Sequence, residues 1–113
     1  MFKRSAALVA LLLIGGVHAA PAVFSPAAKV VCDKKGGYCA DPQGISIGLT
    51  RAHLGEQAAS RLQKNLQGAD LGSYTLSNGV HCESSEQQCY KDRYFPRTKE
   101  SHFTAILFKQ GNK

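Results

Sequence analysis

The apolar residues between positions 51 and 67 repeat with the period of an α-helix. Four of them recur every fourth residue and therefore share one face: Leu54, Ala58, Leu62 and Leu66. Thr50 can cap the start of this helix, because its hydroxyl accepts hydrogen bonds from backbone N–H groups, and Gly68 is suited to end it. Gly55 weakens the helix by about 1 kcal/mol relative to alanine. The pattern predicts one main helix over residues 51–67.

Alternating and β-branched stretches predict short strands on either side of this helix. Ile45, Ile47 and Leu49 alternate with polar or small residues, which is the period of a strand. His102–Phe108, HFTAILF, is rich in β-branched and aromatic residues and is predicted as the last strand. The remaining predicted strands are Val30–Cys32, Tyr38–Cys39 and Tyr74–Cys82, the last either turning at Asn78-Gly79 or running through it. These elements predict an α+β domain, with one helix packed on a small antiparallel sheet.

The N-terminal residues have the layout of a secretory signal peptide. Lys3 and Arg4 precede an uncharged, mostly apolar run from Ser5 to Val17, and Ala19 supplies a small residue at the cleavage position. The run is shorter than the roughly 20 apolar residues of a spanning helix. We therefore expect a signal peptide at residues 1–19, an extended leader at 20–28, one disulfide-stabilised domain at 29–109 and a polar tail at 110–113. Cleavage lowers the formal net charge from +6 to +4.

The four cysteines form two pairs, each with six residues between its members. An exported chain meets an oxidising compartment, where such cysteines form disulfides, and four cysteines permit three connectivities. The loop at positions 34–37, Lys-Lys-Gly-Gly, favours local pairing because it can reverse the chain and bring Cys32 beside Cys39. Chain entropy favours a longer-range bridge by about 1.5 kcal/mol, a margin that strain can remove. The sequence favours Cys32–Cys39 and Cys82–Cys89.

Three kinds of chemical site, a zinc site, a thiol oxidoreductase site and a serine hydrolase site, are disfavoured by the spacing or by the local context of their residues. Structural zinc sites separate paired cysteines by roughly two to four residues, and thiol oxidoreductases use Cys-x-x-Cys, so neither fits. The segment at positions 44–48, GISIG, matches the G-x-S-x-G pattern of hydrolases, but a turn precedes Ser46 where the nucleophile needs a strand. His53, His81 and His102 show no ligand spacing and are predicted as surface or packing residues. We expect no metal, no cofactor and no catalytic residue.

A basic and aromatic run near the C-terminus is the most suggestive candidate for binding. Residues 90–99, YKDRYFPRTK, interleave cationic and aromatic side chains with one aspartate, Asp92. Such a surface can hold phosphate, sulfate or carboxylate groups while aromatic rings stack on sugars or bases. The alternative is structural: Asp92 pairs with a cation, while Tyr94 and Phe95 fill the core under the second disulfide loop. With two lysines of the first loop, the candidate contacts are Lys34, Lys35, Lys91, Arg93, Tyr94, Arg97 and Lys99.

Several segments occur in a fairly specific order along the chain: VVCDKKGGYCAD, LGEQAA, NGVHC and DRYF. This order resembles the YcgJ family, also called Fels prophage protein-like, whose members are small exported proteins of Gram-negative bacteria. The resemblance spans Val30 to Phe95. It implies a location in the periplasm, and it implies no activity or catalytic residue.

These observations favour a non-enzymatic periplasmic protein that binds an anionic envelope component or a protein partner. The alternative is an inhibitor of a foreign hydrolase such as lysozyme, a role that suits small disulfide-stapled domains. Many host lysozymes are basic, however, so a chain of charge +4 would meet like charge. A small enzyme is the third hypothesis and the weakest, because the sequence shows no convergent polar site. We expect no transmembrane segment in the mature chain and no specific nucleic-acid partner.

Overall fold

A computed structural model describes residues 21–109, so the predicted signal peptide and polar tail lie outside the described residues. The helices within this range are α1 (Ile47–Leu54), α2 (Glu56–Asn65) and α3 (His102–Phe108), and a 3₁₀ turn spans Ser84–Glu86. The strands are β1 (Val23–Ala27), β2 (Val30–Asp33), β3 (Tyr38–Asp41), β4 (Gly44–Ser46), β5 (Ser73–Thr75), β6 (His81–Glu83), β7 (Gln88–Tyr90) and β8 (Lys99–Glu100). The predicted α+β class is confirmed.

The strands form two antiparallel sheets of four, in the orders β1-β2-β3-β4 and β5-β6-β7-β8. Residues Val23–Ala27, which we expected in an extended leader, are extended but pair with β2. Both predicted disulfides are present, and each joins cysteines that lie directly opposite each other on neighbouring strands: Cys32–Cys39 between β2 and β3, and Cys82–Cys89 between β6 and β7. Each disulfide therefore ties the central hairpin of one sheet.

The two halves of the domain repeat one arrangement. In the first half the backbone N–H of Cys39 donates to the Thr50 hydroxyl at 2.9 Å, and in the second half the N–H of Cys89 donates to the Thr104 hydroxyl at 2.8 Å. Each hydroxyl in turn donates to the carbonyl four residues before it, at 2.8 and 2.6 Å. Each half thus consists of a disulfide hairpin, a further strand and a helix whose buried threonine holds the second cysteine. In the sequence, the shared spacing of the cysteines is the only sign of this repeat.

The predicted main helix is two helices. The Ser46 side chain accepts from the backbone N–H of Leu49 at 3.0 Å, so α1 begins at Ile47, where we had predicted a strand. Gly55 adopts φ +101°, a left-handed conformation that side chains disfavour, and it separates α1 from α2. The prediction that Thr50 caps the helix is wrong, because Thr50 lies inside α1, fully buried.

The predicted last strand is also a helix, α3. The Glu100 carboxylate accepts from the backbone N–H groups of His102 and Phe103, at 3.0 and 2.9 Å, and so satisfies the first free donors of the helix. Thr104 and Leu107 are buried and lie three residues apart, which is a helical period. The β-branched composition of HFTAILF was misleading because β-propensity depends on the packing context.

The main core lies between the two sheets, with α3 packed on both β2 and β7. The rings of Tyr38 and Tyr74 meet edge to face at its centre, 5.8 Å apart. Burial raises the pKa of both phenols, and the charges of Asp33 (for Tyr38) and Asp41 (for Tyr74) raise it further. The buried members of the core are Val31, Tyr38, Ala40, Leu62, Tyr74, Leu76, Cys82, Cys89 and Leu107.

Candidate functional site

A basic cavity of about 510 Å³ lies between the β2–β3 loop and the helices α1 and α2. We call it the lysine–arginine cavity. Its lining residues are Lys34, Lys35, Gly36, Gly37, His53, Leu54, Ala58, Arg61, Leu62 and Asn65. Two of the predicted binding residues, Lys34 and Lys35, are therefore brought together with cationic and polar groups from elsewhere in the chain.

The loop that carries the two lysines is held by a buried carboxylate. Asp33 is fully buried, and its side chain accepts from the backbone N–H of Gly36 at 3.0 Å and from the N–H and hydroxyl of Ser77 at 2.6 and 2.7 Å. A Cβ atom at Gly36 would lie 2.6 Å from an Asp33 oxygen, so only glycine fits where the loop crosses this side chain. The loop is thus fixed both to its own hairpin and to the turn after β5.

The charged wall of the cavity is uniformly positive. Lys35 and Arg61 are exposed, and within residues 21–109 neither forms an ion pair. The ammonium group of Lys34 lies 5.5 Å from the centre of the Phe24 ring, a cation–π contact that leaves its hydrogen-bond donors free for a ligand. No aspartate or glutamate is among the lining residues. The wall can therefore bind a carboxylate, phosphate or sulfate without competition from an internal carboxylate.

Part of the cavity lining is apolar. Leu62, which is 7% exposed, belongs to the main core, and Leu54 packs on a smaller cluster formed by Val30 and the Cys32–Cys39 disulfide. Ala58 lies half-buried beside them on α2. The predicted stripe at positions 54, 58 and 62 therefore does face inward, and its outer edge forms the side of the cavity.

The second group of predicted contacts forms a separate surface, which we call the aromatic–arginine loop, residues 91–97. All of its residues except Arg97 are exposed, and Tyr94 and Phe95 are 69% and 78% exposed. The interpretation that these two rings fill the core is wrong. The loop offers two rings for stacking among several cations, and none of Lys91, Arg93, Tyr94, Arg97 or Lys99 lines the lysine–arginine cavity.

Arg97 holds the aromatic–arginine loop together. Its guanidinium lies 4.3 Å from the centre of the Phe95 ring and 5.2 Å from that of Tyr90. Its Nε donates to the carbonyl oxygen of Arg93 at 3.3 Å, and its Nη1 lies 3.7 Å from the Glu83 carboxylate. Arg97 is thus engaged on all sides within the chain, whereas the Arg93 side chain makes one cation–π contact, 5.6 Å from the Tyr94 ring.

The carboxylate beside Arg97 belongs to a polar network across β5 and β6. Glu83 accepts from the Ser73 hydroxyl at 2.8 Å and contacts Nε2 of the buried His81 at 2.6 Å, while Nδ1 of His81 lies 2.8 Å from the Thr75 hydroxyl. Partial burial by itself raises the pKa of the Glu83 carboxyl. The hydrogen bonds from His81 and Ser73 and the charges of His81 and Arg97 outweigh it, so the pKa lies below its ordinary value. The network keeps a negative charge facing Arg97.

Replacing Arg97 by alanine is expected to lower the free energy of unfolding by about 1–2 kcal/mol, because two cation–π contacts and a partly buried ion pair are lost. Arg93→Ala is the matched control on the same loop, and its expected effect is below about 0.5 kcal/mol, as for an exposed side chain with one weak contact. Urea unfolding of both variants measures the difference. Equal losses in the two variants would show that Arg97 has no special structural role.

The other candidate groups considered from the sequence are one serine and three histidines. Ser46 of the GISIG segment is the N-cap of α1, so its hydroxyl is engaged by the helix. His81 is buried, His102 is exposed, and His53 is exposed at the rim of the cavity. Among residues 21–109, no group of three histidine, cysteine or acidic residues could hold a metal ion. Across the same range, no helix has the length and apolar character that a membrane crossing requires.

Sequence reasoning missed His53, Arg61 and Asn65 as candidate binding residues. The helical spacing could have indicated two of them. One face of α2 carries four residues at this spacing: Ala58, Arg61, Leu62 and Asn65. The sequence could not show that this face lies against the lysine loop, because that contact depends on how the helices pack on β3.

The family of the protein follows from comparison of its sequence. The model of the YcgJ family, described as YcgJ protein, matches residues 23–108, more than half of the chain. The chain belongs to the YcgJ family. The Escherichia coli (strain K12) protein named "Uncharacterized protein YcgJ" is 51% identical over 71 residues, which cover 63% of this chain and 56% of that relative. The match thus spans little more than half of the relative's length. No solved structure matches this member of the family.

Proposed function

We propose that this protein is an exported, non-enzymatic binding module, and that the lysine–arginine cavity binds an anionic component of the bacterial envelope. The observation that carries the proposal is the convergence of Lys34, Lys35 and Arg61 on one concave surface that no acidic side chain lines. Cations that come from a loop and a helix meet at this cavity, and a ligand is the natural partner for their free donors.

Two features support export to the periplasm. The basic and apolar N-terminal residues have the layout of a secretory signal, and both pairs of cysteines are oxidised and fully buried. Disulfides of this kind persist in oxidising compartments and are rare in the cytosol. An exported protein with a basic cavity meets the phosphate and carboxylate groups of the envelope directly.

Titration of the ¹⁵N-labelled protein with glycerol 3-phosphate at low ionic strength tests the proposal. We expect amide shifts at residues 34–37 and around Arg61, saturable binding, and no shifts with glycerol. The double variant Lys35→Gln/Arg61→Gln should weaken binding by roughly five- to thirtyfold, since exposed charge contacts contribute about 0.5–1 kcal/mol each. Raising the salt concentration should weaken binding as well, because exposed charges are screened.

The double variant Arg93→Gln/Lys64→Gln is the matched control, since it removes the same charge outside the cavity. It should leave glycerol 3-phosphate binding within about twofold of wild type, because the small remaining effect is long-range attraction. Equal weakening in both double variants would mean that only the overall charge attracts the anion. Shifts confined to residues 91–97 would place the site on the aromatic–arginine loop and overturn the assignment to the cavity.

A further inference from the structure

The lining of the lysine–arginine cavity combines two kinds of chemistry. Lys34, Lys35 and Arg61 supply positive charge and form what we call its charged wall, while Leu54, Ala58 and Leu62 supply apolar surface and form its apolar wall. The boundary between the two kinds of surface runs along α2, where Ala58 and Leu62 stand on the same helix face as Arg61. The cavity is therefore amphipathic, and its charged and apolar surfaces are close enough to contact one small molecule.

A wholly polar anion would use only half of this surface. It would satisfy the cations and leave the half-buried Leu54 and Ala58 facing water, so their apolar area would contribute nothing to affinity. An uncharged apolar molecule would cover the leucines but leave the cationic groups without a partner. A ligand with an acidic head and an apolar tail gains from both walls at once.

We infer that the ligand of the lysine–arginine cavity is a single-chain anionic amphiphile, whose acidic head contacts Lys34, Lys35 and Arg61 and whose tail lies against Leu54, Ala58 and Leu62. This inference rests on the proposed anion binding and specifies its ligand class. The volume of about 510 Å³ falls within the range of roughly 300–1,000 Å³ that small-molecule sites occupy. The occupant is one amphiphile molecule and not the surface of a bilayer, because the groups that would contact the tail line a concavity.

Calorimetric titration with a matched set of compounds tests the inference: glycerol 3-phosphate, butyl, hexyl and octyl phosphate, and octyl glucoside, each below its micellar concentration. We expect one alkyl phosphate per chain. Affinity should rise with each pair of added methylenes by roughly three- to fifteenfold, the upper value corresponding to complete burial at about 0.8 kcal/mol per methylene. Octyl glucoside, which has the tail without the charge, should bind at least about tenfold more weakly than octyl phosphate.

Two variants separate the contributions of the apolar and the charged wall to affinity. Ala58→Leu fills the apolar wall and should remove most of the affinity that the octyl chain adds, measured as the ratio of octyl phosphate to glycerol 3-phosphate affinity within the same variant. Ser60→Leu is its control, because Ser60 is exposed on the same helix and does not line the cavity. Lys35→Gln/Arg61→Gln should weaken glycerol 3-phosphate and octyl phosphate alike, since both use the charged wall.

The outcomes distinguish this inference from the proposed function. If glycerol 3-phosphate binds in the cavity and the alkyl chain adds no affinity, the proposed anion binding is supported and the inference of an amphiphilic ligand is wrong. If neither compound binds in the cavity, both ideas fail together. Binding of many octyl phosphates per chain, unchanged by Ala58→Leu, would be surface adsorption and would overturn the inference. Binding to phosphatidylglycerol vesicles without binding to monomeric octyl phosphate would assign the surface to a membrane and overturn it too.

Discussion

Replacing Asp33 by alanine is expected to lower the free energy of unfolding by about 3–4 kcal/mol, because two backbone N–H groups and one hydroxyl lose their hydrogen bonds to a fully buried carboxylate. Asp33 is fully buried, and its carboxylate accepts from Gly36 and from both the backbone and side chain of Ser77. The alanine variant thus removes three hydrogen bonds at once and leaves a space where the buried carboxylate stood.

Asp70→Ala is the matched control for Asp33→Ala. Asp70 is an exposed aspartate whose side chain accepts one backbone N–H, that of Gly72 at 2.9 Å, in a local turn. Its removal should cost less than about 1 kcal/mol, since water can take its place. Asp33→Asn should lie between the two, because the amide keeps the shape but presents one group that donates. Urea unfolding measures all three, and a loss below about 1 kcal/mol for Asp33→Ala would show that the carboxylate does not hold the turn.

The same substitution is expected to affect the candidate binding site. Asp33 fixes the loop that carries Lys34 and Lys35, and it fixes this loop to the turn near Ser77 in the second half of the chain. A loosened loop would have to be ordered when a ligand binds, and that ordering costs affinity. We therefore expect stability and the proposed ligand binding in the lysine–arginine cavity to be coupled through one buried carboxylate.

The sequence predicted the parts of this fold that depend on neighbouring residues. Cysteines with six residues between them across a flexible loop pair locally, and the apolar stripe of α2 turns inward as its spacing requires. The break at Gly55 was not predicted, because the propensity cost of a glycine is too small to end a helix by itself. What ends α1 is the left-handed backbone at Gly55, which depends on how the two helices pack on the sheet.

The repeat of the two halves was hidden for a related reason. In the first half six residues lie between Cys39 and Ser46, its partner on β4, whereas in the second half ten lie between Cys89 and its partner Glu100 on β8. The insertion forms the aromatic–arginine loop and removes any constant spacing from the sequence. In the second half the first N–H groups of α3 donate to the Glu100 carboxylate, whereas in the first half the N–H of Leu49 in α1 donates to the Ser46 hydroxyl. Neither a sequence period nor a motif therefore marks the correspondence. Two residues of the candidate site, Lys34 and Lys35, are local features of the sequence, whereas the position of Arg61 beside them depends on the packing of the helices.

The second large effect on the free energy of unfolding is expected from removal of the disulfides. Removing either bridge by a double substitution to alanine is expected to cost about 2.5 kcal/mol through chain entropy alone, because each closes a loop of the same length. Alanine is preferred to serine here, since all four positions are fully buried and a hydroxyl there would need a partner. If loop closure were the whole contribution, the two double variants would be equally destabilised.

The packing around the bridges predicts that they differ. Cys82 and Cys89 lie in the main core beside Leu76 and Leu107, whereas Cys32 and Cys39 lie in the smaller cluster. Cys82→Ala/Cys89→Ala should therefore cost about 1 kcal/mol more than Cys32→Ala/Cys39→Ala, because the sulfur atoms it removes belong to the larger apolar cluster, whose members lose more packing contacts. Urea unfolding of the two variants, beside the wild type with both bridges confirmed by non-reducing peptide mapping, measures the difference. A greater loss for Cys32→Ala/Cys39→Ala would mean that the first hairpin, which carries the lysine loop, is the more important support of the fold.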